Sequence, residues 1–135
     1  MKILFICKHN RFRSKVGEAL FRNYAQSSHQ VKSAGVELRL LTPYVAPLVK
    51  KTLASYGVTS VVDAPTLISD SLITWADRII VVADNVDASL FPSDVTEVWP
   101  VSDCSQEDEQ NIVLRVREIN DRVRNLLHEL VKERH

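Results

Sequence analysis

Residues 2–14 read KILFICKHNRFRS, an apolar run followed directly by a polar, cationic loop. The run predicts a buried strand from Lys2 to Ile6, and the pattern after the loop predicts an amphipathic helix from Ser14 to about Gln26. Cys7 therefore stands where a strand ends, and Arg13 stands six positions later, where a helix begins. This strand, loop and helix form the first unit of the predicted fold.

The loop between Cys7 and Arg13 is suited to binding an oxyanion. Its five residues can turn their backbone N–H groups inward around an anion, as loops at helix N-termini do. Such a cradle favours the thiolate form of Cys7 and holds a tetrahedral dianion against its sulfur. The guanidinium of Arg13 can grip two phosphate oxygens in a fork, which lysine cannot do. The pattern indicates cysteine-dependent phosphate chemistry, with Cys7 as the nucleophile.

The remaining loop residues have supporting roles in this interpretation. Asn10 tolerates the left-handed backbone conformation that an inward-turned loop needs. Ser14 is predicted to cap the helix, to donate its hydroxyl to the thiolate, or both. Phe12 is expected to lie in the core or to support the loop. Lys8, His9 and Arg11 are expected to add positive charge at the mouth of the pocket. The predicted substrate-binding set is Lys8, His9, Asn10, Arg11, Phe12 and Ser14.

Further apolar runs alternate with helical patterns along the chain. Three runs predict strands: Gln30 to Ala34, Arg78 to Val82, and Glu97 to Trp99. Three segments predict helices: one that starts near Pro47 and runs to Gly57, a short one capped by Ser69, and a long one from Asp108 onward. We predict one α/β domain over residues 1–135, with a four-stranded parallel sheet between helices on both faces and the phosphate-binding loop after the first strand.

Ligands in such folds bind beyond the carboxyl ends of the parallel strands. Three segments leave strands at that edge: Cys7, residues 83–86 and residues 101–104. A phosphate ester needs a proton on its leaving oxygen, and Asp103 is the best-placed candidate acid. Asp84 and Asp87, on the loop after the preceding strand, are the competing candidates.

Composition excludes several other classes of protein. Basic and acidic residues number 17 each, so the chain has no net positive charge that would attract nucleic acid. The two cysteines, Cys7 and Cys104, form neither a disulfide framework nor a metal-ligand spacing, and we expect no metal and no organic cofactor. No segment suits a signal peptide or a membrane span, so we expect a cytoplasmic protein whose reducing surroundings keep Cys7 active. Cys104 is hypothesised to form a reversible disulfide with Cys7 that protects the nucleophile from overoxidation.

The chain resembles the low-molecular-weight protein tyrosine phosphatase family. That family's signature is cysteine, five residues, arginine and serine on the first strand–helix turn, which is matched here from Cys7 to Ser14. Ser33-Ala34-Gly35 is similar to the end of the family's second strand, and residues 76–82 are similar to its later strand. The order of elements fits over nearly the whole chain.

The resemblance implies a function for each matched position. Cys7 would be the nucleophile, Arg13 the phosphate clamp and Asp103 the late general acid. Asn10 and Ser14 would shape the loop and stabilise the thiolate. A phosphorylated protein or a small phosphate ester would be hydrolysed through a cysteinyl-phosphate intermediate, with inorganic phosphate as the product.

Several departures from the family pattern leave the substrate open. His9 stands where the family usually has glycine, and Phe12 stands where it has a second cysteine. The residues after Gly35 and after Asp103 offer no aromatic wall of the kind on which a phosphotyrosine ring stacks. Phosphotyrosine, phosphoarginine, a small phosphate ester and arsenate all remain candidate substrates.

Three alternative functions share the anion-binding loop. The main one is a thioredoxin-coupled arsenate reductase, whose relatives carry a cysteine pair where this chain has residues 83–85, so Cys104 or an external thiol would have to replace that pair. A phosphocarrier of a sugar phosphotransferase system is disfavoured by Arg13, which promotes transfer to water. A non-catalytic anion-binding module is the third alternative and requires that Asp103 be misplaced.

Overall fold

The structure, a computed structural model, describes residues 1–133 and contains a sheet of four strands in the order β2-β1-β3-β4. The strands are β1 (Lys2–Cys7), β2 (Gln30–Gly35), β3 (Arg78–Val82) and β4 (Thr96–Trp99). Every adjacent pair is parallel. This confirms the predicted parallel sheet. Residues 134–135, the end of the predicted domain, lie outside the described part of the chain.

Helices cover both faces of the sheet. They are α1 (Arg13–Ala25), α2 (Pro47–Ala54), α3 (Asp70–Trp75) and α4 (Glu109–Glu133). Because side chains alternate along a strand, Ile3 and Phe5 of β1 join the core cluster of α1, α2 and α4, whereas Leu4 and Ile6 join the cluster of α3. The three-layer α/β prediction is therefore confirmed, with the shorter helix α3 on the second face.

One detail of the helices differs from the sequence prediction: α2 ends at Ala54 rather than at Gly57. On α1, Tyr24 is 38% exposed and Phe21 is buried. The Tyr24 hydroxyl reaches the side-chain oxygen of Asn120 on α4, so the ring bridges two helices at their solvent edge. Helix α2 ends at Ala54, and the chain then turns back through Gly57, whose φ of +83° suits glycine.

The sheet topology determines where a ligand can bind. β1 lies in the middle of the sheet, and the chain passes from it to β2 on one side and later to β3 on the other. The loops that follow β1 and β3 therefore diverge at the carboxyl edge and leave a crevice between them. Within residues 1–133 no helix is long and apolar enough to span a membrane.

Candidate active site

Cys7 ends β1 beneath the loop that leads into α1. Its side chain is 2% exposed, and its Sγ atom lies 3.0 Å from the Oγ atom of Ser14. Helix α1 begins at Arg13, so Ser14 lies inside the first turn and Phe12 occupies the cap position without a side-chain hydrogen bond. Of the two roles predicted for Ser14, the structure therefore shows the contact with sulfur and not the helix cap.

Asn10 ties the loop together from behind. Its backbone has φ +51°, the left-handed conformation predicted for it. Its side-chain amide donates to Ser14 Oγ at 2.8 Å and to Ser33 Oγ at 3.0 Å, while its oxygen accepts from the Thr66 backbone N–H at 2.8 Å. The fully buried Asn10 thus joins the loop to β2 and to the segment before α3.

Glycine is required at the end of β2 because the loop packs directly on it. A Cβ atom at Gly35 would lie 2.7 Å from the Asn10 nitrogen and 2.9 Å from the Lys8 carbonyl oxygen. A real Cβ atom essentially never comes this close to a backbone atom, so any side chain at Gly35 would displace the loop. The backbone also holds the loop here, since the Glu37 N–H donates to the Lys8 carbonyl at 2.8 Å.

A buried ion pair on α1 supports the loop from below. Glu18 accepts from Ser33 Oγ at 2.7 Å and from Arg22 at 3.0 Å, and its Oε1 lies 3.9 Å from Lys15 Nζ. The Lys15 ammonium, 1% exposed, also donates to the Ala64 carbonyl at 2.7 Å. Burial lowers the pKa of Lys15, and the charge of Glu18 opposes that shift. Sequence reasoning missed this pair, although its i, i+3 spacing was visible.

Arg13 is held at the bottom of the crevice by residues of the loops that follow β3 and β4. Its Nη1 donates to the Val101 carbonyl at 2.9 Å, and its Nη2 donates to Asn85 Oδ1 at 3.0 Å. The carboxylates of Asp84 and Asp103 lie 3.5 Å and 3.9 Å from the guanidinium. The orientation of Arg13 is thus set by the two loops predicted to converge with Cys7. Asn85 and the Val101 carbonyl were not identified from the sequence.

The three candidate acids have different surroundings. Asp103 is 44% exposed and faces the same cleft as Cys7. Asp84 lies against Arg13 and accepts a hydrogen bond from Ser102 Oγ at 2.7 Å. Asp87 caps a short 3₁₀ turn, where hydrogen bonds from the side chain and backbone of Ser89 lower its pKa. Of the three, only Asp103 lines the cleft.

The cleft has a volume of about 500 Å³ and opens above Cys7 and Arg13. Of the predicted substrate-binding residues, His9, Arg11 and Phe12 line it, whereas Lys8, Asn10 and Ser14 do not. Within residues 1–133, the cleft is also lined by Arg39, Thr42, Ala46, Pro47, Cys104, Ser105, Gln106 and Glu107. Two walls result, one from the loops after β1 and β2 and one from the loop after β4.

Cys104 lies on the second wall, next to Asp103. Burial raises the pKa of its thiol, and the neighbouring Asp103 carboxylate raises it further. Cys104 therefore stays protonated at neutral pH. No group of three or more metal-ligating side chains occurs within residues 1–133.

The family resemblance is confirmed by comparison with known proteins. The family model described as "Low molecular weight phosphotyrosine protein phosphatase" matches residues 2–135. The chain belongs to this family, which is a family of phosphatases.

Solved structures with the same fold belong to proteins with different activities. The YwlE arginine phosphatase from Geobacillus stearothermophilus matches with a TM-score of 0.84 and 21% identity, over 98% of this chain and 94% of that chain. A low molecular weight phosphotyrosine phosphatase from Vibrio cholerae O395 matches with a TM-score of 0.86 and 16% identity, over 98% of both chains. An arsenate reductase from Archaeoglobus fulgidus matches with a TM-score of 0.76 and 29% identity, over 93% of this chain and 98% of that chain. The shared fold therefore does not determine which of these reactions the chain catalyses.

Proposed function

We propose that the protein hydrolyses phosphate monoesters, such as a phosphotyrosine protein or a related small phosphorylated compound, through a cysteinyl-phosphate intermediate. The observation that carries the proposal is that Cys7, Arg13 and Asp103 meet in one cleft. A nucleophile, a fixed guanidinium and a carboxylic acid are what transfer of a phosphoryl group from an ester requires.

The first step forms the intermediate. The Cys7 thiolate attacks phosphorus in line, and a sulfur–phosphorus bond forms as the bond to the leaving oxygen breaks. Backbone N–H groups of the loop and the Arg13 guanidinium stabilise the equatorial oxygens as charge builds on them. Protonated Asp103 gives its proton to the leaving oxygen, which departs as a neutral alcohol or phenol.

The second step hydrolyses the intermediate and regenerates the free enzyme. Asp103, now a carboxylate, takes a proton from a water molecule that attacks phosphorus opposite the sulfur. The sulfur–phosphorus bond breaks, inorganic phosphate forms, and Cys7 is again a thiolate hydrogen-bonded by Ser14. No metal or organic cofactor takes part in this scheme. A reducing compartment such as the cytoplasm suits it because the thiol must stay unoxidised.

Arsenate reduction is the second candidate, and Cys104 is the observation that favours it. Cys104 lines the same cleft as Cys7, so a second thiol is available to a cysteine-bound arsenate. Attack by Cys104 on Cys7 sulfur would form a disulfide and release arsenite, and a dithiol such as thioredoxin would then reduce the disulfide.

One experiment separates the two reactions. Purified protein is given para-nitrophenyl phosphate in EDTA, and in parallel arsenate with a thioredoxin system. The phosphatase proposal predicts turnover of the ester in EDTA, its loss in Cys7→Ser, and its retention in Cys104→Ser. Full activity of Cys7→Ser, or arsenate turnover without ester turnover, would overturn it.

A further inference from the structure

Two guanidinium groups line the same wall of the cleft above the phosphate-binding loop. Arg11 belongs to the loop after β1, and Arg39 belongs to the segment after β2. Arg13 lies deeper, where Asp84 and Asp103 balance its charge. The mouth of the cleft therefore carries cationic charge beyond that needed to hold the phosphoryl group.

Within residues 1–133, neither of the two mouth arginines, Arg11 and Arg39, forms an ion pair with a carboxylate, and Arg39 is exposed. Arg11 is anchored, since its Nε donates to the Tyr44 carbonyl at 2.9 Å. That bond leaves the two terminal amino groups of Arg11 as donors for a ligand and fixes where they sit.

The two arginines also repel each other. Burial lowers the pKa of Arg11, and the positive charge of Arg39 lowers it further, while Asp103 acts in the opposite direction. The repulsion between like charges held together in a cleft is reduced when an anion binds between them. The acids of the cleft, Asp103 and Glu107, come from the opposite wall, which follows β4.

On the basis of the proposed phosphatase function, we infer that Arg11 and Arg39 form a second anion subsite, and that the preferred substrate is a phosphate monoester whose leaving group carries another anionic group. Arg13 and the loop hold the ester phosphate, and the mouth arginines hold a carboxylate or second phosphate. A leaving group with a positive charge, such as a guanidinium, is disfavoured by the same two residues.

Three aryl phosphates test the inference: para-tolyl, para-carboxymethylphenyl and para-aminomethylphenyl phosphate. The methylene group insulates the charge from the phenol oxygen, so the three esters have similar leaving groups. The carboxylate ester is expected to have a kcat/KM about tenfold above the tolyl ester, and the amine ester to fall below it. Added salt should shrink both differences, because the arginines lie near solvent.

Variants assign the preference to the two residues. Arg11→Gln and Arg39→Gln should each lower the carboxylate-to-tolyl ratio of kcat/KM, and the double variant should bring it close to one. Arg124→Gln, which removes an exposed arginine of α4 that does not line the cleft, should keep the wild-type ratio. An unchanged ratio in the double variant would overturn the inference.

The outcomes keep the inference and the proposed function apart. If none of the three esters is hydrolysed, the phosphatase proposal fails. If all three are hydrolysed with equal kcat/KM, the phosphatase proposal stands and the second anion subsite is refuted. Phosphotyrosine peptides with Glu or Gln as neighbours extend the comparison: a Glu preference there identifies acidic phosphoproteins as the source of the second anion, and a preference confined to the aryl esters identifies small molecules.

Discussion

The Ser14 hydroxyl lies 3.0 Å from the Cys7 sulfur and 2.8 Å from the Asn10 amide nitrogen. Because the amide nitrogen can only donate, the Ser14 oxygen accepts from Asn10, and the Ser14 hydroxyl proton is free to be donated to the sulfur. The hydrogen-bond network continues through Ser33 Oγ, which accepts from Asn10 and donates to Glu18. A buried row of directed hydrogen bonds thus ends on the atom that we propose as the nucleophile.

We predict that Ser14→Ala lowers kcat for an aryl phosphate by roughly tenfold or more, since a hydrogen bond to a charged atom contributes about 1.5–3 kcal/mol. Asn10→Asp should also lower kcat, because it replaces the donor to Ser14 by an acceptor of similar shape. Steady-state kinetics in EDTA measure both. Ser60→Ala, at an exposed position outside the cleft, is the control. Wild-type kcat in Ser14→Ala would contradict this role for the hydroxyl.

The proposed acid can be recognised by how its loss depends on the leaving group. Asp103→Asn should slow phenyl phosphate by about a hundredfold or more, and para-nitrophenyl phosphate much less, because nitrophenolate departs without a proton. Asp84→Asn should slow both esters by a similar factor, since Asp84 contacts Arg13 and does not line the cleft. Equal losses for the two esters in Asp103→Asn would remove Asp103 from the acid's role.

The sheet and the loop were predictable from local patterns, whereas the contacts beneath the loop were not. The apolar runs of β1 and β3 indicate strands buried on both faces, and Cys7 followed by Arg13 indicates an anion loop. Nothing near Lys15 in sequence reveals that its ammonium donates to the Ala64 carbonyl, because that acceptor lies 49 positions later in the chain. Asn85 was missed for the same reason, since its partner Arg13 lies 72 positions away.

Lys15 and Glu18 are predicted to be coupled in stability. Lys15→Met leaves Glu18 with a buried charge that Arg22 and Ser33 only partly balance, and should cost about 3 kcal/mol of unfolding free energy. Glu18→Gln should also be destabilising, and the double variant should lose less than the sum of the single variants. Urea unfolding of all four proteins gives the coupling. Strict additivity would show that the two charges act independently.

Oxidation should reveal whether Cys104 protects Cys7. Hydrogen peroxide converts the Cys7 thiolate to a sulfenic acid, and attack by Cys104 then forms a disulfide and releases water. We predict that wild-type activity lost to peroxide returns with dithiothreitol, and that the loss becomes irreversible in Cys104→Ser. Because burial and Asp103 raise the pKa of Cys104, disulfide formation should accelerate as pH rises. Equal recovery in Cys104→Ser would refute the protective role.

The start of α4 gives a prediction for stability against pH. The backbone N–H of Asn111 donates to Asp108 Oδ1 at 3.2 Å and its side-chain amide donates to Oδ2 at 2.6 Å, and these bonds lower the pKa of Asp108. A carboxylate whose folded-state pKa is lowered stabilises the fold above its unfolded-state pKa, and that stability is lost as pH falls through the folded-state pKa. Asp108→Ala should therefore lower Tm near neutral pH, with a difference from wild type that disappears in acid. Asp108→Asn keeps a capping oxygen and should lose less, and Asp94→Ala, at an exposed position, should change Tm little at any pH. A Tm difference for Asp108→Ala that persists unchanged into acid would contradict the charged cap.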